Sequence, residues 1–240
     1  MTSGRPPLLV IAGATATGKT GLAIRVAQVL RNEGVAAEVV SADSRQVYRG
    51  LDIGTAKPTL AERGGVPHHG LDLVDPDVRY SLADYLAHAG DALAGIGARS
   101  GLAILAGGTG LYIRGVAHGI ATDALPSDAA LRVELEDDLV RRGLAALVAR
   151  LETLAPEAAA RVDRSNPRRV VRALEIAELR GDARPPTPRG YPGPVAWLGL
   201  ALDKATHLSW IETRARGQFD TGLVQEAETL RRRYDPALPA

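Results

Sequence analysis

Short apolar runs alternating with polar, glycine-punctuated loops organise the first half of the chain. Leu8, Leu9, Val10, Ile11 and Ala12 form a continuous apolar run, as a strand buried on both faces requires. Residues 22–30 then repeat their apolar positions at helical spacing, and this helix closes near Asn32, Glu33 and Gly34. A second short strand is predicted over 37–40, and a loop over 50–65. A third strand is predicted over 68–74, halted by Asp75 and Pro76. Ser81, with Asp84 three residues on, predicts the start of a helix reaching about Ile96. Residues 101–106 read as another buried strand, and a further helix runs from Leu111 to Ala117.

After about Ile120 the pattern changes. Residues 126–181 carry helical periodicity and many charges but no convincing strand, and the proline-rich stretch 182–194 reads as a linker. Residues 195–202 return as a strand belonging to the first sheet, followed by helices over 205–233. Strands alternating with helices predict an α/β fold, a parallel sheet with helices on both faces. The expected organisation is a core over 1–121, an all-helical insertion over 122–190, and a return to the core over 191–240. No internal repeat is evident.

The loop after the first strand brings in chemistry. Gly13-Ala14-Thr15-Ala16-Thr17-Gly18-Lys19-Thr20 fits G-x-x-x-x-G-K-[ST] in the order strand, loop, helix, so the sheet is expected to be P-loop NTPase-like. Glycines let successive N–H groups face one concavity, and the helix adds its positive end, making a site for a di- or triphosphate. Lys19 is expected at the terminal phosphates and the Thr20 hydroxyl on Mg²⁺.

Composition narrows the setting. With 45% hydrophobic but only 4% aromatic residues, the core is aliphatic. A net charge of +1 neither demands nor excludes a nucleic acid, and zero cysteines remove disulfides, thiolate chemistry and cysteine-bound metals. Residues 1–7 are too short and polar for a signal peptide, and no apolar run approaches ~18 residues. A cytoplasmic monomer without membrane attachment is expected.

Other polar clusters leave choices open. Asp43 follows the second strand at the same sheet edge as the phosphate loop; it suits a Mg²⁺ ligand, a general base, or a carboxylate capping the next turn. Ser44, Arg45 and Gln46 supply donors and acceptors for a base edge or a phosphate. Gly107-Gly108-Thr109-Gly110 is either a substrate-facing turn or a plain tight one. Pro167 opens a helix on which Arg168, Arg169 and Arg172 share one arc, with Val170, Leu174 and Ala177 opposite. That arc is a solvated face or a phosphate-backbone contact. His68 and His69 are adjacent, so on a strand they point apart, which argues against one shared metal.

Together these clusters resemble the bacterial tRNA dimethylallyltransferases, also called tRNA isopentenyltransferases. The resemblance rests on Gly13 to Thr20; Ser41-Ala42-Asp43-Ser44-Arg45-Gln46-Val47-Tyr48 with its continuation to Pro58; Val66-Pro67-His68-His69; Gly107-Gly108-Thr109-Gly110-Leu111-Tyr112; and Arg169-Val170-Val171-Arg172-Ala173-Leu174-Glu175. It implies transfer of the dimethylallyl group of dimethylallyl diphosphate to N6 of adenine 37 beside the tRNA anticodon. The P-loop would then grip a leaving diphosphate rather than drive ATP hydrolysis. By the family's pattern Asp43 matches the general base and Thr109 a residue near the acceptor adenine. Asp43 to Gln46, Arg132, and the run Arg168, Arg169, Val170, Val171 and Arg172 match tRNA-contacting positions, while Arg214 matches one assisting the diphosphate. The insertion becomes intelligible as a clamp on the anticodon arm.

Two features depart from the family's pattern. Its further basic, aromatic C-terminal helix is not matched within these 240 residues, which end after Tyr234-Asp235-Pro236-Ala237-Leu238-Pro239. In Arg214-Ala215-Arg216-Gly217-Gln218-Phe219 the family usually places a Met near Gln218. Competing readings are a transferase acting on free adenine nucleotides, a P-loop kinase of a small metabolite, and a nucleotide-dependent RNA-binding module.

Overall fold

A computed structural model of the chain describes residues 4–121, 125–182, 184 and 186–235. The start of the expected insertion at 122, residues 183 and 185 of the expected linker, and Pro236 onward lie outside the described residues. Five strands form one parallel sheet: β1 (Leu8–Gly13), β2 (Ala37–Ser41), β3 (His68–His69), β4 (Leu102–Gly107) and β5 (Val195–Leu200), in the order β3-β2-β4-β1-β5.

Alternate strand residues face opposite sides, and each side has its own helices. Val10, Val40, Ala103 and Leu105 pack with Tyr85, Leu93 and Ile96 of α3 (Leu82–Ala98) and Tyr112 and Val116 of α4 (Gly110–Ala117). Ile11, Val39 and Ile104 pack with Ala23, Ile24 and Ala27 of α1 (Lys19–Asn32) on the other side. Ser81 caps α3 as its sequence implies: its hydroxyl accepts the Asp84 N–H, and the Asp84 carboxylate accepts the Ser81 N–H.

The expected third strand is cut to two residues. Gly70 (φ 82°) and Asp72 (φ 54°) leave the extended region, and the chain instead donates its Asp72, Leu73 and Val74 N–H groups to Gln46 and Val47 carbonyls. The loop expected over 50–65 also contains a single-turn helix, α2 (Leu60–Arg63), closed by a Thr59–Glu62 capping box.

Contacts divide the chain into two compact units, residues 1–120 with 189–240, and 121–188. The second is all helical: α5 (Ala129–Leu154), broken at Gly143, α6 (Pro156–Arg161) and α7 (Pro167–Arg180), around Leu135, Leu147, Leu151, Val170 and Leu174. The first unit ends in α8 (Lys204–Asp220) and α9 (Leu223–Arg233). Among the described residues, no helix is long and apolar enough to cross a membrane.

Register positions the loops. Ala12 pairs with Gly107 and Ser41 with Ala106, so the chain leaves β1, β2 and β4 at one level of the sheet's carboxyl edge. Gly107 makes this approach achievable, since a Cβ there would stand 2.1 Å from the Ala42 carbonyl oxygen. Gly107→Ala is expected to destabilise the chain by more than about 3 kcal/mol in urea unfolding, because the obstruction is backbone rather than a movable side chain.

Candidate active site

The phosphate loop is shaped before any ligand contact. Gly18 (φ 79°) turns the backbone into α1, and Ala16 is held at φ 61°, a left-handed conformation costing a non-glycine residue roughly 1–3 kcal/mol. The Thr17 hydroxyl donates to the Ala14 carbonyl at 2.8 Å, and the Lys19 ammonium folds onto that same carbonyl and lies 3.4 Å from Thr17 Oγ1. Lys19 is buried. Burial lowers its pKa below the ordinary lysine value, Asp43 pulls it back up, and Arg214 pushes it down.

Asp43 caps the turn after β2: its Oδ1 accepts the Arg45 N–H at 2.8 Å and the Gln46 N–H at 3.4 Å. Its Oδ2 has no hydrogen-bond partner among the described residues, so capping and a chemical role are compatible. The Gly107–Gly110 turn is clasped to this loop. Thr109 N–H donates to Ala42 O, the Ser44 N–H donates to Thr109 Oγ1 at 2.9 Å, and the Thr109 hydroxyl lies 3.3 Å from Ser44 Oγ.

Gln46 lines the cavity with its side chain held by its own chain. Its amide is buried, donating to the Thr55 and Ala56 carbonyls at 3.2 and 3.3 Å while Oε1 accepts from Ser41 Oγ. Both of its N–H bonds are thereby engaged in shaping a wall. The Arg45 side chain is exposed.

These elements surround a cavity of about 640 Å³ lined by Thr15 to Gly21, Asp43, Gln46, Thr55, Ala56 and Gly108, with Trp210, Thr213 and Arg214 from α8. Gly13 and Ala14 complete the loop beneath it. Sequence motifs did not point to Trp210 and Thr213; the signal that could have found them is that Thr213 and Arg214 stand three and four residues beyond Trp210, which puts both beside it on one helix face. The position of α8 is set partly by His207, whose Nε2 lies 2.7 Å from the Thr15 carbonyl of the phosphate loop.

A family model described as IPP transferase matches residues 46–240, and one described as isopentenyl transferase matches residues 6–68. The chain belongs to the IPP transferase family. The tRNA dimethylallyltransferase of Anaeromyxobacter sp. (strain K) is 46% identical over 97% of this chain and 76% of its own length. That of Thermus thermophilus is 44% identical over 96% and 74%. The crystal structure of the full-length tRNA isopentenylpyrophosphate transferase of Bacillus halodurans matches with a TM-score of 0.66 at 37% identity, covering 98% of this chain and 73% of that one. A eukaryotic dimethylallyltransferase described as acting on tRNA matches with a TM-score of 0.79 at 25% identity, over 96% and 57%.

Within the helical unit of this family member, the arginines divide by their partners. Glu175 is fully buried and accepts from Arg132 at 2.8 to 3.1 Å, from Arg172 at 2.6 Å and from the Asp128 N–H at 2.9 Å. Arg172 also donates to the Pro126 carbonyl. Arg132 and Arg172, both expected to face tRNA, therefore join α5, α7 and the chain before α5 through one carboxylate. Val170 and Val171, in the same run, are both buried in the helical core, where their side chains pack. Arg169 is exposed and 3.4 Å from Asp163, and Arg168 is exposed with no ion-pair partner among the described residues.

Burial raises the Glu175 pKa, but hydrogen bonds from Arg172, Asp128 and Arg132 outweigh it and leave the carboxyl below its ordinary value. Its stabilising contribution is therefore complete above the unfolded value near ~4.3 and is lost as pH falls through the lower folded value. Glu175→Ala is expected to cost about 3–5 kcal/mol in urea unfolding at pH 7 by leaving two guanidinium groups without their shared partner. Unfolding below pH 4 should show a smaller difference from the wild type.

Proposed function

We propose that this chain transfers the dimethylallyl group of dimethylallyl diphosphate to N6 of adenine 37 in the tRNA anticodon loop, releasing diphosphate. The observation that carries this reading is the pairing, in one cavity, of the Lys19 phosphate loop with an Asp43 carboxylate that has one oxygen still available. The names of the related enzymes support the donor and the acceptor.

Lys19 and the loop N–H groups from Gly13 to Thr20 bind the diphosphate and take up the charge that grows as its bond to the prenyl carbon breaks, while Arg214 helps to hold the diphosphate in the ground state and the transition state alike. Adenine N6 forms the new bond to that carbon and gives its proton to Asp43 Oδ2. Thr109, fastened to Ser44, holds the turn beside the acceptor. Trp210 supplies an apolar wall against water. The donor set also fits Mg²⁺: Thr20 and Asp43 both line the cavity, and a hard cation is commonly held by one or two protein oxygens plus substrate phosphates and water. When bound, Mg²⁺ neutralises charge on the diphosphate. Of the helical unit's arginines expected to contact tRNA, Arg168 and Arg169 are the two with exposed side chains, and they are proposed to meet the tRNA backbone.

The deciding experiment incubates the chain with labelled dimethylallyl diphosphate and either unmodified tRNA or AMP, followed by nucleoside mass analysis. Label in tRNA adenosine is expected; label in AMP alone overturns the assignment of acceptor. Asp43→Asn should lower turnover ~10²–10⁴-fold with tRNA affinity nearly unchanged, measured by single-turnover kinetics and filter binding.

A further inference from the structure

No residue of α8 or α9 is buried among the described residues, although α8 carries four residues of the cavity wall, Ser209, Trp210, Thr213 and Arg214. While Leu223 and Leu230 of α9 lie beside Gly54 and Gly50, polar contacts toward the two ends of α8 help to hold that wall in place. One is His207 on the Thr15 carbonyl. The other is more elaborate. Gln218 Nε2 donates to the Ile53 and Gly54 carbonyls at 2.6 and 3.0 Å. From α9, the Glu226 carboxylate accepts the backbone N–H groups of Asp52, Ile53 and Gly54 at 2.8, 2.6 and 2.9 Å. Three amides converging on one carboxylate make a charge-assisted anion cradle filled by the chain's own side chain.

The turn that Glu226 grips is itself anchored. Buried Lys57 donates to the Tyr48 carbonyl at 2.8 Å and pairs with Asp52 at 2.6 Å and Asp72 at 2.5 Å. A continuous polar path thus runs from the loop after β2, through Lys57 and Asp52, to Glu226, Gln218 and α8. Thr55 and Ala56, immediately beyond the gripped turn, form the facing part of the same cavity.

We propose that Glu226, assisted by Gln218, is a positioning residue of the diphosphate site. It fastens the α8–α9 hairpin to the 52–54 turn and thereby fixes Arg214, Thr213 and Trp210 against the Lys19 loop. The proposal rests on the reading of that cavity as the prenyl diphosphate site. Because the latch touches neither donor nor acceptor, it governs how well the donor is held and leaves the transfer step itself unaltered. A binding wall displaced by even ~1 Å loses much of its charge contact with the ligand.

The test compares wild-type chain, Glu226→Ala, Glu226→Gln and Gln218→Ala. Glu226→Ala should raise KM for dimethylallyl diphosphate about tenfold, with kcat at saturating donor and KM for tRNA within about twofold. Glu226→Gln keeps an acceptor oxygen and should recover part of this loss, and Gln218→Ala should shift KM in the same direction by less. Inorganic diphosphate affinity, measured by calorimetry, should fall in parallel. The chain has two tryptophans, so in a Trp197→Phe background the emission of Trp210 reports on the wall directly; Glu226→Ala should shift it to the red and raise its quenching by iodide. Unchanged donor KM, diphosphate affinity and Trp210 emission overturn the proposal, as does an equal fall in kcat and in affinity for both substrates. Should Glu226→Ala not fold, a normal donor KM in folded Glu226→Gln and Gln218→Ala overturns it equally. A wild-type chain that binds diphosphate but transfers no prenyl group overturns the functional reading alone; the diphosphate affinities of the variants still decide the latch.

Discussion

The backbone contact between the start of the Gly107 turn and Ala42 is the constraint from which the site follows. It exists because β2 and β4 run parallel in a register that ends both at one level beside β1. With no Cβ at 107, the Thr109 amide reaches the Ala42 carbonyl and its hydroxyl reaches Ser44. Asp43 lies between these two bonds, its direction fixed by the loop it caps. The sheet thus sets the distance between phosphate loop and carboxylate, and the side chains need only complete it.

The two units solve their packing differently. The sheet unit stacks small aliphatic residues from alternating strand positions against helices on both faces, with the stacked pair Tyr85 and Tyr112 inside one of the two layers. The helical unit combines a leucine and valine core with a single buried carboxylate gathering two guanidinium groups. The same guanidinium chemistry that suits a phosphate backbone is used here to organise a helix junction. Exposure then separates Arg168 and Arg169, which can serve a ligand, from Arg132 and Arg172, which are already engaged.

Strain and polarity in the phosphate loop point to a site formed in advance. Ala16 stays in a left-handed conformation because the Thr17 and Lys19 contacts on Ala14 close the loop around it. Lys19 feels the opposing charges of Asp43 and Arg214, and its ammonium rests on a carbonyl, a weaker partner than an anionic group would be.

The sequence by itself determined the alternation of strands and helices, the phosphate loop, the Ser81 cap and the interruption by helices, because each is written in local periodicity or in turn and cap residues. Motif resemblance extended this to Asp43, Thr109 and Arg214. Only the tertiary structure decided which polar residues stay available. Gln46, Arg132 and Arg172 carry the same donors whether they meet a ligand or their own chain; Glu175 lies three residues from Arg172 on one helix, but it is 43 residues from Arg132, and the Gln46 partners Thr55 and Ala56 lie across a loop. The short β3 and the wall formed by Trp210 and Thr213 were hidden for the same reason. A strand's length and a helix's facing depend on pairing with distant chain, and hydrogen bonds such as Glu226 to the 52–54 turn join segments that local pattern cannot relate.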